Sequence, residues 1–303
     1  MPGCSLAPCA AGLRRRATRA LIAALLLVTV SPIGGDAQQD ATPSKSQYNL
    51  FRRTPRELRR PLTTDRPDRT ESPYTVDAGV FQVEIDVFTY GVDASTGGES
   101  GVSGNSFAIM PFNMKAGLLH NVDLQVVVET WAWNQATVNG TTQRQRGLGA
   151  VTVRTKVNLW GNDGGRTALA MMPFVGFVAD PGSSQRLVNL GVILPLRVEL
   201  GAGWGLGSML QFELVRDGAA APRKVTMIGS ASVGRSITGP LSFFVEVYGG
   251  TVLADATSDW EGTGDLGLTL GVGPNVQVDA GVNLGFTRLA EDAYPFLGLT
   301  VRF

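Results

Sequence analysis

The stretch Asn189-Leu190-Gly191-Val192-Ile193-Leu194-Pro195-Leu196-Arg197-Val198-Glu199-Leu200 decides the fold. Successive Cβ atoms of an extended chain point to opposite faces, so Leu190, Val192, Leu194, Leu196, Val198 and Leu200 share one side. Asn189, Arg197 and Glu199 share the other. The run is roughly twice the five or six residues of an ordinary soluble strand. It reaches the roughly 9–11 residues with which a tilted strand crosses a bilayer.

The same alternation recurs along the chain. Phe81, Val83, Ile85, Val87 and Thr89 oppose Gln82, Glu84 and Asp86, and Val151, Val153, Val157 and Leu159 oppose Thr152, Arg154, Lys156 and Asn158. Leu241, Phe243, Val245 and Val247 oppose Ser242, Glu246 and Tyr248. Val276, Val278, Ala280, Val282 and Leu284 oppose Gln277, Asp279 and Asn283. This pattern predicts about a dozen strands, near 80–90, 105–118, 123–133, 147–159, 167–178, 188–200, 203–216, 224–236, 241–251, 263–272, 276–287 and 294–303. Their connections alternate too. His120-Asn121, Trp160 to Gly165, Gly201-Ala202, Thr238-Gly239 and Gly273 to Asn275 are short. Asp93 to Gly104, Asn134 to Arg146, Ala179 to Leu187, Asp217 to Arg223, Ala254 to Gly262 and Thr287 to Ala293 are longer. Short turns at one rim and long loops at the other are the pattern of outer-membrane barrels.

A soluble β-sandwich also alternates, but it needs neither this strand length nor this loop pattern. In lipid every backbone N–H and C=O must be paired internally, and only a closed sheet leaves no edge. Glycine, at 38 of 303 residues, suits the bent strands and tight turns that closure demands. The expected fold is an all-β, transmembrane, antiparallel up-and-down barrel of about 12 strands, outer-membrane type. Leu297, Leu299, Val301 and Phe303 end the last strand on an aromatic, resembling the terminal strand that bacterial barrel-assembly machinery recognises. That machinery and outer-membrane lipid are the expected partners.

The N-terminus points to export. Arg14, Arg15, Arg16 and Arg19 precede Ala20 to Val30, apolar except for Thr29, and Gly35-Asp36-Ala37 supplies small residues. That order is a secretory signal, and the apolar run is about half the roughly 20 residues of a membrane-spanning helix. The expectation is a cleaved signal over 1–37, an irregular periplasmic segment over 38–78, and a barrel over 79–303 in the cell outer membrane. Phe51 to Thr70 carries Arg52, Arg53, Arg56, Arg59, Arg60, Arg66 and Arg69 against Glu57, Asp65 and Asp68, with neither helical nor strand periodicity. Cys4 and Cys9 both lie in the signal, so no disulfide or cysteine metal site is expected beyond it. Residues 1–37 hold four arginines and one aspartate, so residues 38–303 carry 22 basic and 25 acidic side chains, a net charge of −3. A nucleic-acid partner, which needs a strongly basic face, is not expected.

With the apolar faces toward lipid, Glu84, Asp86, Arg154, Lys156, Arg197, Glu199, Glu246, Asp279 and Arg302 point into the lumen. Arg or Lys on the lipid side would cost roughly 2–4 kcal/mol near the midplane. These charges make either a polar solute path or an interior filled by mutually neutralising pairs. The run Thr64-Asp65-Arg66-Pro67-Asp68-Arg69-Thr70-Glu71-Ser72-Pro73 could likewise be a ligand site. Its prolines forbid helix, and its charges could instead pair locally or seal the periplasmic mouth. His120, the single histidine, falls in a short turn, and no metal cluster, nucleophile elbow or phosphate loop is visible. No catalytic residue, enzyme activity, metal or cofactor is expected. Trp131, Trp133, Trp160, Trp204 and Trp260 suit interfacial girdles better than a ligand stack.

The Thr64 to Pro73 run, leading through Gly79 into Phe81-Gln82-Val83-Glu84, resembles the N-terminal signature of bacterial proteins named for the meta pathway of phenol degradation. Gly147-Leu148-Gly149, Leu194-Pro195-Leu196, Phe244-Val245-Glu246 and Pro274-Asn275-Val276-Gln277-Val278-Asp279 are similar as well. Ala150 stands where the family pattern has an acidic residue. The resemblance spans about 63–303 and implies an outer-membrane transporter or channel for small hydrophobic or aromatic compounds. The alternative is a non-conducting structural or adhesion-type barrel.

Overall fold

Long alternating runs leave one stable arrangement: polar faces enclosed, apolar faces toward lipid, and no open edge. The computed structural model describes residues 44–93, 102–138, 141–179, 186–216, 218, 221–253 and 260–303. The signal expected over 1–37 and parts of the long loops lie outside these residues.

Fifteen strands form a single antiparallel sheet. They are β1 (Phe81–Asp93), β2 (Val102–Ile109), β3 (Phe112–Leu119), β4 (Val122–Val128), β5 (Trp131–Val138), β6 (Thr141–Gly147), β7 (Val151–Trp160) and β8 (Thr167–Ala179). Then come β9 (Arg186–Gly201), β10 (Trp204–Val215), β11 (Lys224–Thr238), β12 (Leu241–Val252), β13 (Glu261–Gly271), β14 (Val276–Gly285) and β15 (Ala293–Arg302). The last strand pairs with the first, from Gln82↔Arg302 to Val92↔Ala293, and this seam closes the sheet. The barrel has 12 wall strands because three of them are interrupted: β2–β3, β4–β5 and β6–β7 each make one.

The three interruptions are neighbours at one height, since Ile109 faces Trp131, Phe112 faces Val128, and Val128 faces Val151. Pro111 has no N–H to give the ladder, and Met110 beside it takes a positive φ of 53°. Glu129 stitches the next break, its carboxylate accepting from Ala150 N at 2.9 Å and its carbonyl from Gly149 N at 2.9 Å. Above the breaks, β6 pairs with β5 alone among the described residues, so the wall splits between β6 and β8. Arg186 bridges the foot of the split, donating to the carbonyls of Gly149 at 2.7 Å and Phe177 at 3.3 Å.

The structure corrects two expectations. Asn134 to Arg146, expected as a loop, is largely the hairpin β5–β6, which runs from Ala132↔Gly147 to Val138↔Thr141. Its run Thr141-Thr142-Gln143-Arg144-Gln145-Arg146 has no apolar face, so alternation could not reveal it. Alternation also groups Thr89 with Phe81 to Val87, but a bulge between Asp86 and Phe88 reverses the parity. Val87 and Phe88 both lie exposed, and Thr89 is buried.

The other register shifts lie at the short-turn rim, as at Asn158 and Trp160, and along β12–β15 the parity holds. Val245, Val247, Leu266, Leu268 and Leu297 are exposed outward, and Glu246, Asp265 and Asp279 are buried inward. Trp160 and Trp204 sit at the short-turn end and Trp131 and Trp260 at the other, as interfacial belts would. Inside, three rings lie across neighbouring glycines. A Cβ on Gly191, Gly267 or Gly281 would come within 2.3, 2.5 or 2.5 Å of Phe174, Phe244 or Phe296 respectively, so the side-chain-free strand is what lets each ring lie flat.

Leu266→Arg would set a charge against lipid near mid-wall. It is expected to cost about 2–4 kcal/mol, read as a lowered urea midpoint for folding into phospholipid vesicles. An unchanged midpoint would contradict the outward placement.

Candidate functional site: the barrel interior

The barrel encloses a segment of its own chain. Pro61, Pro67 and Pro73 keep residues 61–73 out of helix and ladder, so their backbone groups and charges need other partners. They find them on the inward faces of the strands. The segment enters at the short-turn rim, reaches mid-barrel at Arg69 and Thr70, and returns to the rim before β1.

Asp65 is the centre of this arrangement. Its carboxylate takes Lys115 Nζ on one oxygen and Lys156 Nζ on the other, each at 2.5 Å, and Ser72 N at 3.0 Å. Lys115 also meets Glu84 at 2.5 Å, and Glu84 accepts from Asp65 N at 3.1 Å. Burial by itself would raise the Asp65 carboxyl, but Lys115, Lys156 and Arg154 together outweigh it and hold Asp65 well below the usual carboxylate range. Glu71 takes Arg154, yet burial pushes its carboxyl up to about 7, with Arg154 opposing the rise and Asp65 adding to it.

On β14 and β1, across the seam, Arg66 reaches Asp279 at 2.8 Å and also Asp86, with its guanidinium 5.8 Å from the Phe296 ring centroid. Arg69 lies 3.4 Å over the Tyr248 ring, meets Glu261 at 3.4 Å, and donates its main-chain N–H to Glu246 at 2.8 Å. The Thr70 hydroxyl joins Glu246 and, at 2.6 Å, Ser230. The return leg is held by backbone partners: Asn158 donates to Pro73 O at 2.9 Å, Asn162 accepts from Thr75 N at 3.1 Å, and Asp123 accepts from Val76 N at 3.0 Å. Asp77 then pairs with Arg60 at 3.0 Å.

The inward charges read from the sequence divide into two groups. Glu84, Asp86, Arg154, Lys156, Glu246 and Asp279 all contact the 64–73 motif. Arg197 and Glu199 pair with each other at 2.9 Å, half-open to water, and Arg302 binds the carbonyls of Arg60 and Pro274 at the rim. Within the motif Thr64 accepts from Gln277 at 3.2 Å. Residues 63–78, expected in the periplasm, thus lie within the barrel. Their charges are matched by residues far along the chain, which no local pattern discloses. Lys115, Asp123 and Gln125 escaped the sequence reading, although the alternation of β3 and β4 places them inward. His120 lies in the short turn, where its carbonyl accepts from Arg60 at 3.0 Å and Asn162 at 2.9 Å.

The far side of the lumen differs in character. Met172, Ile193, Met209 and Tyr248 form a buried cluster with Phe174 and Ile228 packed on it, all inward from β8–β12. Glu71 N of the inserted segment approaches Met209 Sδ at 3.5 Å. The segment is thus clamped by charge on β1, β3, β7 and β14 and by Ser230, Glu246 and Tyr248 on β11 and β12, and the methionine and isoleucine side chains of β8–β10 pack beside it.

A closed transmembrane barrel with such an interior is an outer-membrane β-barrel of the channel and porin class. Residues 64–303 match the model of the family described as "Putative MetA-pathway of phenol degradation", and the chain belongs to that family. An outer-membrane channel from Pseudomonas putida F1 is similar in structure, with a TM-score of 0.54 and 10% identity over 80% of this chain and 100% of that one. The translocator domain of the autotransporter NalP from Neisseria meningitidis gives a TM-score of 0.49 at 9% identity, over 74% and 88%. At these identities the likeness shows the fold alone. No curated protein matches the sequence.

Asp65→Asn leaves two lysines buried without their shared anion, a change expected to cost about 3–5 kcal/mol of attachment. Trypsin should then cut after Arg69 in a barrel that retains its heat-modifiable gel mobility. Continued resistance at that site would contradict the clamp.

Proposed function

We propose that this protein is an outer-membrane channel for small hydrophobic or aromatic compounds, with the apolar wall above the inserted segment as their binding surface. The observation that carries this reading is the cluster Met172, Phe174, Ile193, Met209, Ile228 and Tyr248, turned toward the lumen of a lipid-embedded barrel. Inward positions of a water-filled pore are ordinarily polar. Methionine and aromatic side chains instead adapt to apolar ligands of varied outline. Family membership supports the same solute class.

In this reading Glu84, Asp86, Arg154, Lys156, Glu246 and Asp279 hold the inserted segment and shape the path without conducting the solute. Arg197 and Glu199, open near the short-turn rim, line the exit toward the periplasm. The split between β6 and β8 lies beside β8, which bears Met172 and Phe174, so a lipid-dissolved compound has a short route to the cluster. Export through a signal over 1–37 cleaved after Ala37, and insertion by the assembly machinery through β15 and Phe303, complete the proposal.

The density of ion pairs on residues 65–71 favours a second reading, a non-conducting structural barrel. Uptake by liposomes carrying the refolded protein separates the two, with phenol-like and sugar-like solutes side by side. The channel reading expects phenol-like uptake that falls about tenfold in Ile193→Asp, since an unpaired polar group in an apolar surface costs on the order of 1–3 kcal/mol. Silence from a folded barrel toward both solutes would favour the structural reading.

A further inference from the structure

The short-turn rim carries a second feature that the solute path does not use. Asn49 to Arg52 makes a tight turn: Asn49 and Arg52 exchange backbone hydrogen bonds at 3.0 Å, and Asn49 Oδ1 accepts from Phe51 N and Arg52 N at 3.0 Å. The turn is sewn to the end of β3, with Leu50 N donating to Leu118 O at 2.9 Å and Asn49 bridging Leu119. At its tip Phe51 is 95% exposed. A phenylalanine held that far out by a rigid turn counts for function only as part of a wider apolar patch.

Its surroundings say which. Leu119, Phe81 and Phe303, at the ends of the adjacent strands β3, β1 and β15, are likewise exposed, and Phe303 N donates to Phe81 O at 2.8 Å. The same sector is strongly basic. Among the described residues Arg52, Arg53, Arg56 and Arg59 meet no side-chain carboxylate: Arg52 lies over the Tyr48 ring, Arg53 donates to Phe303 O and Arg59 to Thr54 O, and Glu57 is the one acid between Phe51 and Arg60. Behind them opens a cleft of about 660 Å³, lined by Arg56, Arg59, Arg60, Arg302 and the β13–β14 turn at Pro274 and Asn275. Arg60 is buried, and its Nε, beside this cleft, has no hydrogen-bond partner.

We propose that this sector of the rim binds the phosphate headgroup of an anionic phospholipid in the periplasm-facing leaflet. Arg56 and Arg59 at the cleft take the phosphate, and Phe51, with Phe81 and Phe303, sits at the acyl boundary. Guanidinium groups match phosphate oxygens in a bidentate fork, and basic residues beside a membrane favour anionic lipid. Aromatic side chains are at home in the interfacial layer, where one side is apolar and the other wet. Combining an exposed aromatic with arginines that no side-chain carboxylate neutralises suits a lipid better than a soluble anion, which would make no use of Phe51.

Native mass spectrometry of the full-length barrel in detergent, titrated with phosphatidylglycerol or phosphatidylcholine, tests this. The wild type should retain phosphatidylglycerol with roughly tenfold preference, as expected for several arginines beside an anionic headgroup. Arg56→Gln with Arg59→Gln should erase the preference, and Phe51→Ser should weaken retention of both lipids, with heat-modifiable mobility unchanged in each. Equal retention of the two lipids by the wild type would overturn the proposal. So would full displacement of phosphatidylglycerol by equimolar inorganic phosphate or an acidic peptide, which would mark a site for soluble anions.

Discussion

Backbone hydrogen bonds cannot be left open in hydrocarbon, and the rest of this molecule depends on that constraint. It forces the sheet to close at the β1–β15 seam, and closure assigns each side chain to lipid or lumen by parity. Apolar residues go outward, so polar and charged residues must go inward, whether or not water waits for them there. With 12 wall strands the enclosed space is narrow, and buried charges in a narrow space need partners. The chain supplies them from its own N-terminal side, where Asp65, Arg66, Arg69 and Glu71 meet opposite charges on at least five strands.

Such pairs contribute little net stability, since the desolvation of each charge offsets most of the attraction. Their effect is positional. Asp65 between Lys115 and Lys156 fixes the segment's height in the barrel, and Arg66 between Asp86 and Asp279 fixes its rotation. The clamp reaches round the barrel, with Thr70 on Ser230 and Glu246 and with Arg69 over Tyr248, while β8–β10 turn methionine, isoleucine and phenylalanine side chains inward beside it.

The wall is legible in the sequence because its code is local: a period of two, read over ten or more residues, sets nearly all strand limits within a few positions. Where that code lapses, the reading lapses with it. The hairpin β5–β6 has no apolar face on Thr141 to Arg146, and the bulge at Val87 shifts Thr89 without a proline or glycine to announce it. The inserted segment is invisible for another reason. Asp65 and Lys156 are 91 residues apart, and nothing in Thr64 to Pro73 specifies whether its charges pair with one another, with water, or with a wall. The inward parity of Glu84, Lys156 and Asp279 tells where charge faces, and the structure tells what it faces.

Residues 64–73 sit inside the barrel, held to its inward-facing side chains. Thr70 and Ser230 are 2.6 Å apart at their hydroxyls, and the chain has no cysteine beyond Cys9, so Thr70→Cys with Ser230→Cys offers a clean reporter. Oxidised in native outer membranes, the pair should crosslink nearly completely. Two free thiols that label readily and never crosslink would contradict the account.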